Sequence, residues 1–116
     1  MDDYLIRAIT TNKEIRALAV RSTDTVEKAR SYHKTTPVAT AALGRTLSAG
    51  LLVGSLVKSG EETNIVINGD GPLKKIVVES NQHGEVRGYV ANPKIALLKN
   101  SAGKLDVASA VGQGEL

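Results

Sequence analysis

The stretch Asn68-Gly69-Asp70-Gly71-Pro72 is the sharpest chemical candidate in the chain. Glycines flanking an aspartate could cradle a phosphate with main-chain N–H groups. Such cradles normally lead from a strand into a helix whose N-terminus faces the anion. Here the loop joins two strand-like runs, and no Lys-Ser/Thr pair follows it. A tight hairpin is the expected structure. The alternative is an enzyme subunit that binds a phosphorylated small ligand through Gly69–Pro72.

Other candidates have blander explanations. Asp70 with Glu79 or Glu85 would give a carboxylate pair for acid–base work. Nothing in their spacing brings them together, and solvated strand ends account for them. His33 and His83 are the two histidines, one near a helix end and one in a turn. Neither has a partner at metal-ligand spacing, and no cysteine supports a zinc site. Serines are plentiful, but no Gly-x-Ser-x-Gly elbow occurs. Lys74, Lys75 and Arg87 would make one small basic patch, and Arg7, Arg16 and Arg21 another; a solvated sheet face explains both. The residues therefore name no catalytic group, no cofactor-binding group and no metal ligand.

The elements that would position any such group follow from the apolar pattern. Pro37 to Val57 is the longest apolar run and is read as a central helix. Thr36 suits its cap and Pro37 its first position, where no N–H is needed. Leu43, Leu47 and Leu51 recur every four residues on one face, with Val38, Leu52, Val53 and Leu56 roughly opposite. A helix apolar on both sides is buried on several sides. Gly44, Gly50 and Gly54 each cost about 1 kcal/mol against alanine in a helix interior. Something is therefore expected to pack very close to the backbone there. Arg45, Thr40, Thr46, Ser48 and Ser55 interrupt the run, which argues against a membrane span of ~20 apolar residues.

Before this helix, Tyr4–Thr10 and Glu14–Arg21 read as two strands of a hairpin. Alanines at 8, 17 and 19 point to a face that meets a neighbour closely. Asp24 with Glu27 resembles a capping box, opening a helix from Thr25 to about Lys34. Val26 and Ala29, with Tyr32 or His33, would form its apolar stripe. After the central helix, Thr63–Asn68, Leu73–Ser80 and Glu85–Ala91 are strand-like. Their short, turn-rich connections imply an antiparallel meander. Lys94 to Leu98 is a short extended piece. Asp106 caps a short helix, VASAV, stopped by Gly112. Gln113–Leu116 then looks like the beginning of another strand. The fold class is α+β: an N-terminal hairpin, a helix pair with a long buried central helix, then the meander.

Composition limits the function classes. The 116 residues fit one domain, and 41% hydrophobic content is enough for a core. Aromatics are 3%, all tyrosine, so the core must be aliphatic. The net charge of +3 is scattered and not interleaved with aromatics, so nucleic-acid binding is weakly favoured. No cysteine is present, hence no disulfide and no thiolate metal site. Asp2 and Asp3 precede a short strand-like run rather than a signal sequence, so a cytoplasmic protein is expected.

Ala41-Ala42-Leu43-Gly44-Arg45, the Gly69-Asp70-Gly71-Pro72 loop, Gly84-Glu85-Val86-Arg87-Gly88-Tyr89-Val90 and Gly103-Lys104-Leu105-Asp106-Val107 together resemble the redox-regulated heat-shock chaperones, the thirty-three-kilodalton chaperonins of bacteria. The resemblance spans essentially the whole chain. It implies an ATP-independent holdase that binds unfolding or aggregation-prone proteins under oxidative stress. It also implies a homodimer, with elements possibly exchanged between chains, and a C-terminal zinc switch of four cysteines. Thiolates suit that switch, since they bind zinc and are the groups that peroxide attacks. No position in this sequence matches those cysteines. Residues 1–116 are therefore expected to be the N-terminal portion of the chaperone core domain, a fragment without the zinc and redox-switch region. No nucleic-acid or membrane partner is expected.

Overall fold

The computed structural model describes residues 2–96 and 99–116. Strand β1 (Tyr4–Ile9) and strand β2 (Arg16–Arg21) form an antiparallel hairpin. Helices α1 (Thr23–His33) and α2 (Pro37–Gly54) follow. Strands β3 (Glu62–Gly69), β4 (Lys75–Asn81) and β5 (Val86–Val90) make the meander. A short helix α3 (Val107–Val111) and strand β6 (Gly114–Glu115) complete the order. The second sheet runs β5-β4-β3-β6, with each neighbouring pair antiparallel. The α+β reading and the strand-like ending hold.

Helix α2 lies across one face of this sheet. Leu43, Leu47 and Val38 are almost wholly buried against Leu73, Ile76 and Val78. Burying each such side chain is worth roughly 1.5–3 kcal/mol. The glycine notches have identifiable partners. A Cβ at Gly44 would stand 2.9 Å from Val26 Cγ1 of α1, and one at Gly50 would stand 2.6 Å from Val78 Cγ1 of β4. The helix therefore approaches α1 on one side and the sheet on another.

Several local expectations change. Helix α2 ends at Gly54 rather than Val57, and Val53 and Leu56 are 43% and 52% exposed. Its second apolar side is thus only partly covered. Thr36 stands at the N-cap, but its hydroxyl donates to the carbonyls of Ile95 (2.7 Å) and Pro93. It ties the helix start to the segment after β5 instead of capping.

The Asp24–Glu27 capping box does not form. Helix α1 begins at Thr23, and Glu27 pairs with Arg30 instead. Asp3, far back in sequence, accepts from the Asp24 and Thr25 amides (3.1 and 2.7 Å) and from the Thr25 hydroxyl (2.6 Å). Val26 and Ala29 pack on the core, whereas Tyr32 is 71% exposed and His33 is exposed too. Ala8, Ala17 and Ala19 are also exposed, so among the described residues no neighbour covers that hairpin face. Strand β2 starts at Arg16 because the loop from Thr10 to Ile15 closes on itself, with Thr10 N–H bonded to Ile15 O. Lys94–Ala96 forms no strand, and the remainder of that expected extended piece, Leu97 and Leu98, lies outside the described residues.

Candidate functional site

The Asn68–Pro72 loop is a backbone latch. Gly69 N–H donates to Lys74 O, Asp70 N–H to Gln113 O and Gly71 N–H to Val111 O, at 2.9–3.0 Å. Gln113 N–H returns a bond to Asp70 Oδ1 at 2.8 Å. A Cβ at Gly71 would collide with carbonyls of α3. The glycines thus admit a neighbouring stretch of main chain, and the amides that would cradle a phosphate already have acceptors. The phosphate-binding alternative finds no support here.

The acid–base candidates are dispersed. Asp70 belongs to the latch, and Glu85 accepts from the Asn81 side chain. The carboxylates that do meet are Glu62 on β3 and Glu79 on β4. Register places Asn64 opposite Glu79 and Glu79 opposite Arg87, so Glu62 is Glu79's diagonal neighbour on one face. The hydrogen bond shared with Glu79 raises Glu62 above the usual carboxylate range. The same bond, with Arg87's help, lowers Glu79. Glu62 is exposed and Glu79 half-buried, and Arg87 bonds Glu79 at 2.9 Å. Sequence spacing missed this pair because it depends on strand register.

Arg87 is engaged with Glu79, and Lys75 lies four residues along β4, so the first basic patch does not assemble. Arg7 and Arg16 do converge, diagonal to each other on the hairpin, in a recess shared with Ser55 and Leu56. That recess is at the C-terminal end of α2, where a cation complements the helix dipole. Arg21 sits elsewhere, opposite Tyr4. His33 and Glu85 line an open groove of about 380 Å³ between α1 and the β4–β5 turn. His83 is exposed in that turn. Among the described residues no three His, Cys, Asp or Glu side chains cluster as metal ligands. With no cysteine either, the residues present do not fit the zinc centre that the resemblance implies.

What the structure does build is an open apolar surface. Side chains alternate across the sheet, so Ile65, Ile67, Ile76, Val78 and Val90 face α2 while Val66, Val77 and Tyr89 face outward. Val66 opposes Val77, and Val77 opposes Tyr89, forming one apolar row across three strands. Tyr89 is 46% exposed, and among the described residues no element lies over this row. Glu79 and Arg87 flank it at one end and Lys75 at the other. A second apolar surface lies on the hairpin, where Tyr4, Ile6 and the three alanines share the uncovered face.

A family model described as "Hsp33 protein" matches residues 3–116. The chain belongs to the Hsp33 family. It is similar to the 33 kDa chaperonin of Geobacillus kaustophilus, with 50% identity over 97% of the chain and 38% of the relative. It is also similar to the 33 kDa chaperonin of Nostoc punctiforme, with 53% identity over all of the chain and 39% of the relative. The crystal structure of a 33 kDa chaperonin from Thermotoga maritima superposes with a TM-score of 0.90 at 39% identity, covering 95% of this chain and 38% of that one. The chain thus spans about two fifths of the length of the curated relatives it matches. No helix among the described residues is long and apolar enough to cross a membrane.

Proposed function

We propose that this chain is the N-terminal portion of the core domain of a redox-regulated, ATP-independent holdase. It binds unfolding proteins in the cytoplasm and prevents their aggregation. Family membership supports the class. The observation that carries the reading is the sheet face over which no element lies among the described residues, where Val66, Val77 and Tyr89 form a continuous apolar row. Monomeric soluble proteins rarely leave contiguous apolar patches uncovered without an interaction to serve. The reading is one of binding, and among the described residues no three His, Cys, Asp or Glu side chains gather as a metal centre. Residues 1–116 hold clients but carry no redox switch, since they contain no cysteine. Homodimer formation, with elements exchanged between chains, belongs to the same reading.

The test is light scattering from a thermally aggregating client mixed with this chain. Suppression at severalfold excess is expected, and Tyr89→Ser with Val77→Thr should remove at least half of it. Absence of suppression by the unaltered chain would sink the reading. Sedimentation velocity tests self-association, and a clean monomer at high concentration refutes the dimer.

A further inference from the structure

We infer that Asn68 is a modification site gated by the fold. It deamidates when the Asn68–Pro72 turn opens, and the product bars the turn from closing again. The inference is independent of the chaperone reading.

Asn68-Gly69 is the one place in the sequence where glycine follows asparagine, and Asp70-Gly71 the one place where it follows aspartate. Glycine has no side chain to hinder its own nitrogen, which can attack the side-chain carbonyl of the residue before it. At Asn68 the Gly69 nitrogen gives its proton to solvent base and bonds to the Asn68 Cγ. A five-membered succinimide closes, the bond from Cγ to the side-chain nitrogen breaks, and ammonia leaves. Water then opens the ring at either carbonyl. One product is aspartate. The other is isoaspartate, whose main chain runs through Cγ and is longer by one carbon.

The fold both requires this dipeptide and holds it inert. A Cβ at Gly69 would collide with the carbonyl of Val111, so the end of α3 admits only glycine there. Asn68 lies in β3 opposite Lys75, with its side chain exposed to water. Ring closure needs the Asn68 backbone turned far from the ψ of about +135° that an antiparallel strand holds. Gly69 N–H donates to Lys74 O at 2.9 Å, which keeps its proton in place. The neighbouring pair is held likewise, the Asp70 carboxylate by Gln113 N–H at 2.8 Å and the Gly71 N–H by Val111 O at 3.0 Å. Opening and closing are fast beside this slow chemistry, so modification of the folded chain tracks its open fraction. Isoaspartate at 68 would carry Gly69 N–H out of register with Lys74 O and drive Gly69 against Val111. Unfolding thus leaves a covalent mark that blocks return, one route by which denaturation becomes irreversible.

The test holds the chain at mildly alkaline pH with and without guanidinium chloride. Isoaspartate is counted with an isoaspartyl methyltransferase and mapped by peptide mass. Asn68 should convert about tenfold or more faster in the unfolded chain than in the folded one. Asn64, Asn81 and Asn100 are internal controls and should lag behind Asn68 once the chain is unfolded. Asn68→Gln cannot close a five-membered ring, and its exposed site leaves the fold intact. That variant should lose most of the label and keep its refolding yield after a long hold in denaturant, while the unaltered chain loses yield in step with its label. Equal conversion of Asn68 in the folded and unfolded chains overturns the inference, as does a label that maps elsewhere. A refolding loss of the same size in Asn68→Gln overturns it too. The mapping on the unaltered chain decides the matter if the variant does not fold.

Discussion

The Ser80 hydroxyl of β4 donates to the main-chain carbonyl of Gly50 in α2, at 2.7 Å. A side chain can reach a helix carbonyl in this way only where the helix surface is bare. Gly50 and Gly54 supply the bare surface, and Val78 and Ser80 fill it. The cost of helical glycine is offset by close contact with the sheet.

Gly54→Ala therefore tests the contact. The new Cβ would lie 2.5 Å from Ser80 Oγ and 2.9 Å from Asn81 O. Overpacking of this kind costs about 1–3 kcal/mol, against about 1 kcal/mol gained in helix propensity. Thermal unfolding is expected to shift downward by several degrees. Ser80→Ala should cost about 1 kcal/mol through the lost hydrogen bond. A higher melting temperature for Gly54→Ala would refute the account.

Asp3 gives a pH dependence with a definite sign. Desolvation alone would raise its pKa, but bonds from Thr25 and Asp24, together with the Arg21 charge, lower it below 3.8. A depressed carboxylate contributes stability above its unfolded value and loses it as pH falls through the folded one. Asp3→Ala should cost about 1 kcal/mol at neutral pH, the usual worth of a helix cap. The gap between the two proteins should close below about pH 4, as read by urea unfolding at several pH values. A gap that is constant down to pH 2 would contradict the assignment.

Asp70 secures β6 to the sheet. Removing its carboxylate in Asp70→Ala leaves the Gln113 amide without its acceptor. Hydrogen exchange at Gln113 and Gly71 should accelerate severalfold, while amides of β4 remain protected. Uniform acceleration across the sheet would mean that the latch is not a separate unit.

The Glu62–Glu79–Arg87 cluster should be visible by carboxyl NMR titration. Glu62 is expected to titrate above its ordinary value and Glu79 below it. Arg87→Ala should move Glu79 upward, because the guanidinium bond and charge both favour its ionised form. Coincident titration of the two glutamates would show that they do not share a hydrogen bond.

Much of this architecture was readable in the chain itself. Glycines at 44, 50 and 54 announced close packing around α2, since nothing else explains three poor helix formers inside an apolar run. Turn residues at Asn68–Pro72 and Asn81–Gly84 announced the meander. Asp106 and Gly112 bracketed α3 at the observed ends. These signals are local, set by neighbours a few residues away. Family likeness was legible for the same reason, as short motifs in order. The candidate site was not. In β3 and β4 the runs Ile65-Val66-Ile67 and Ile76-Val77-Val78 are apolar at every position, so alternation cannot say which face α2 covers. Only the tertiary structure decided that Val66 and Val77 are left outward beside Tyr89. It likewise decided that Asp3 caps α1 and that Glu62 meets Glu79. Those pairings join residues 11–23 positions apart, and their energies depend on register and docking, which no local preference encodes.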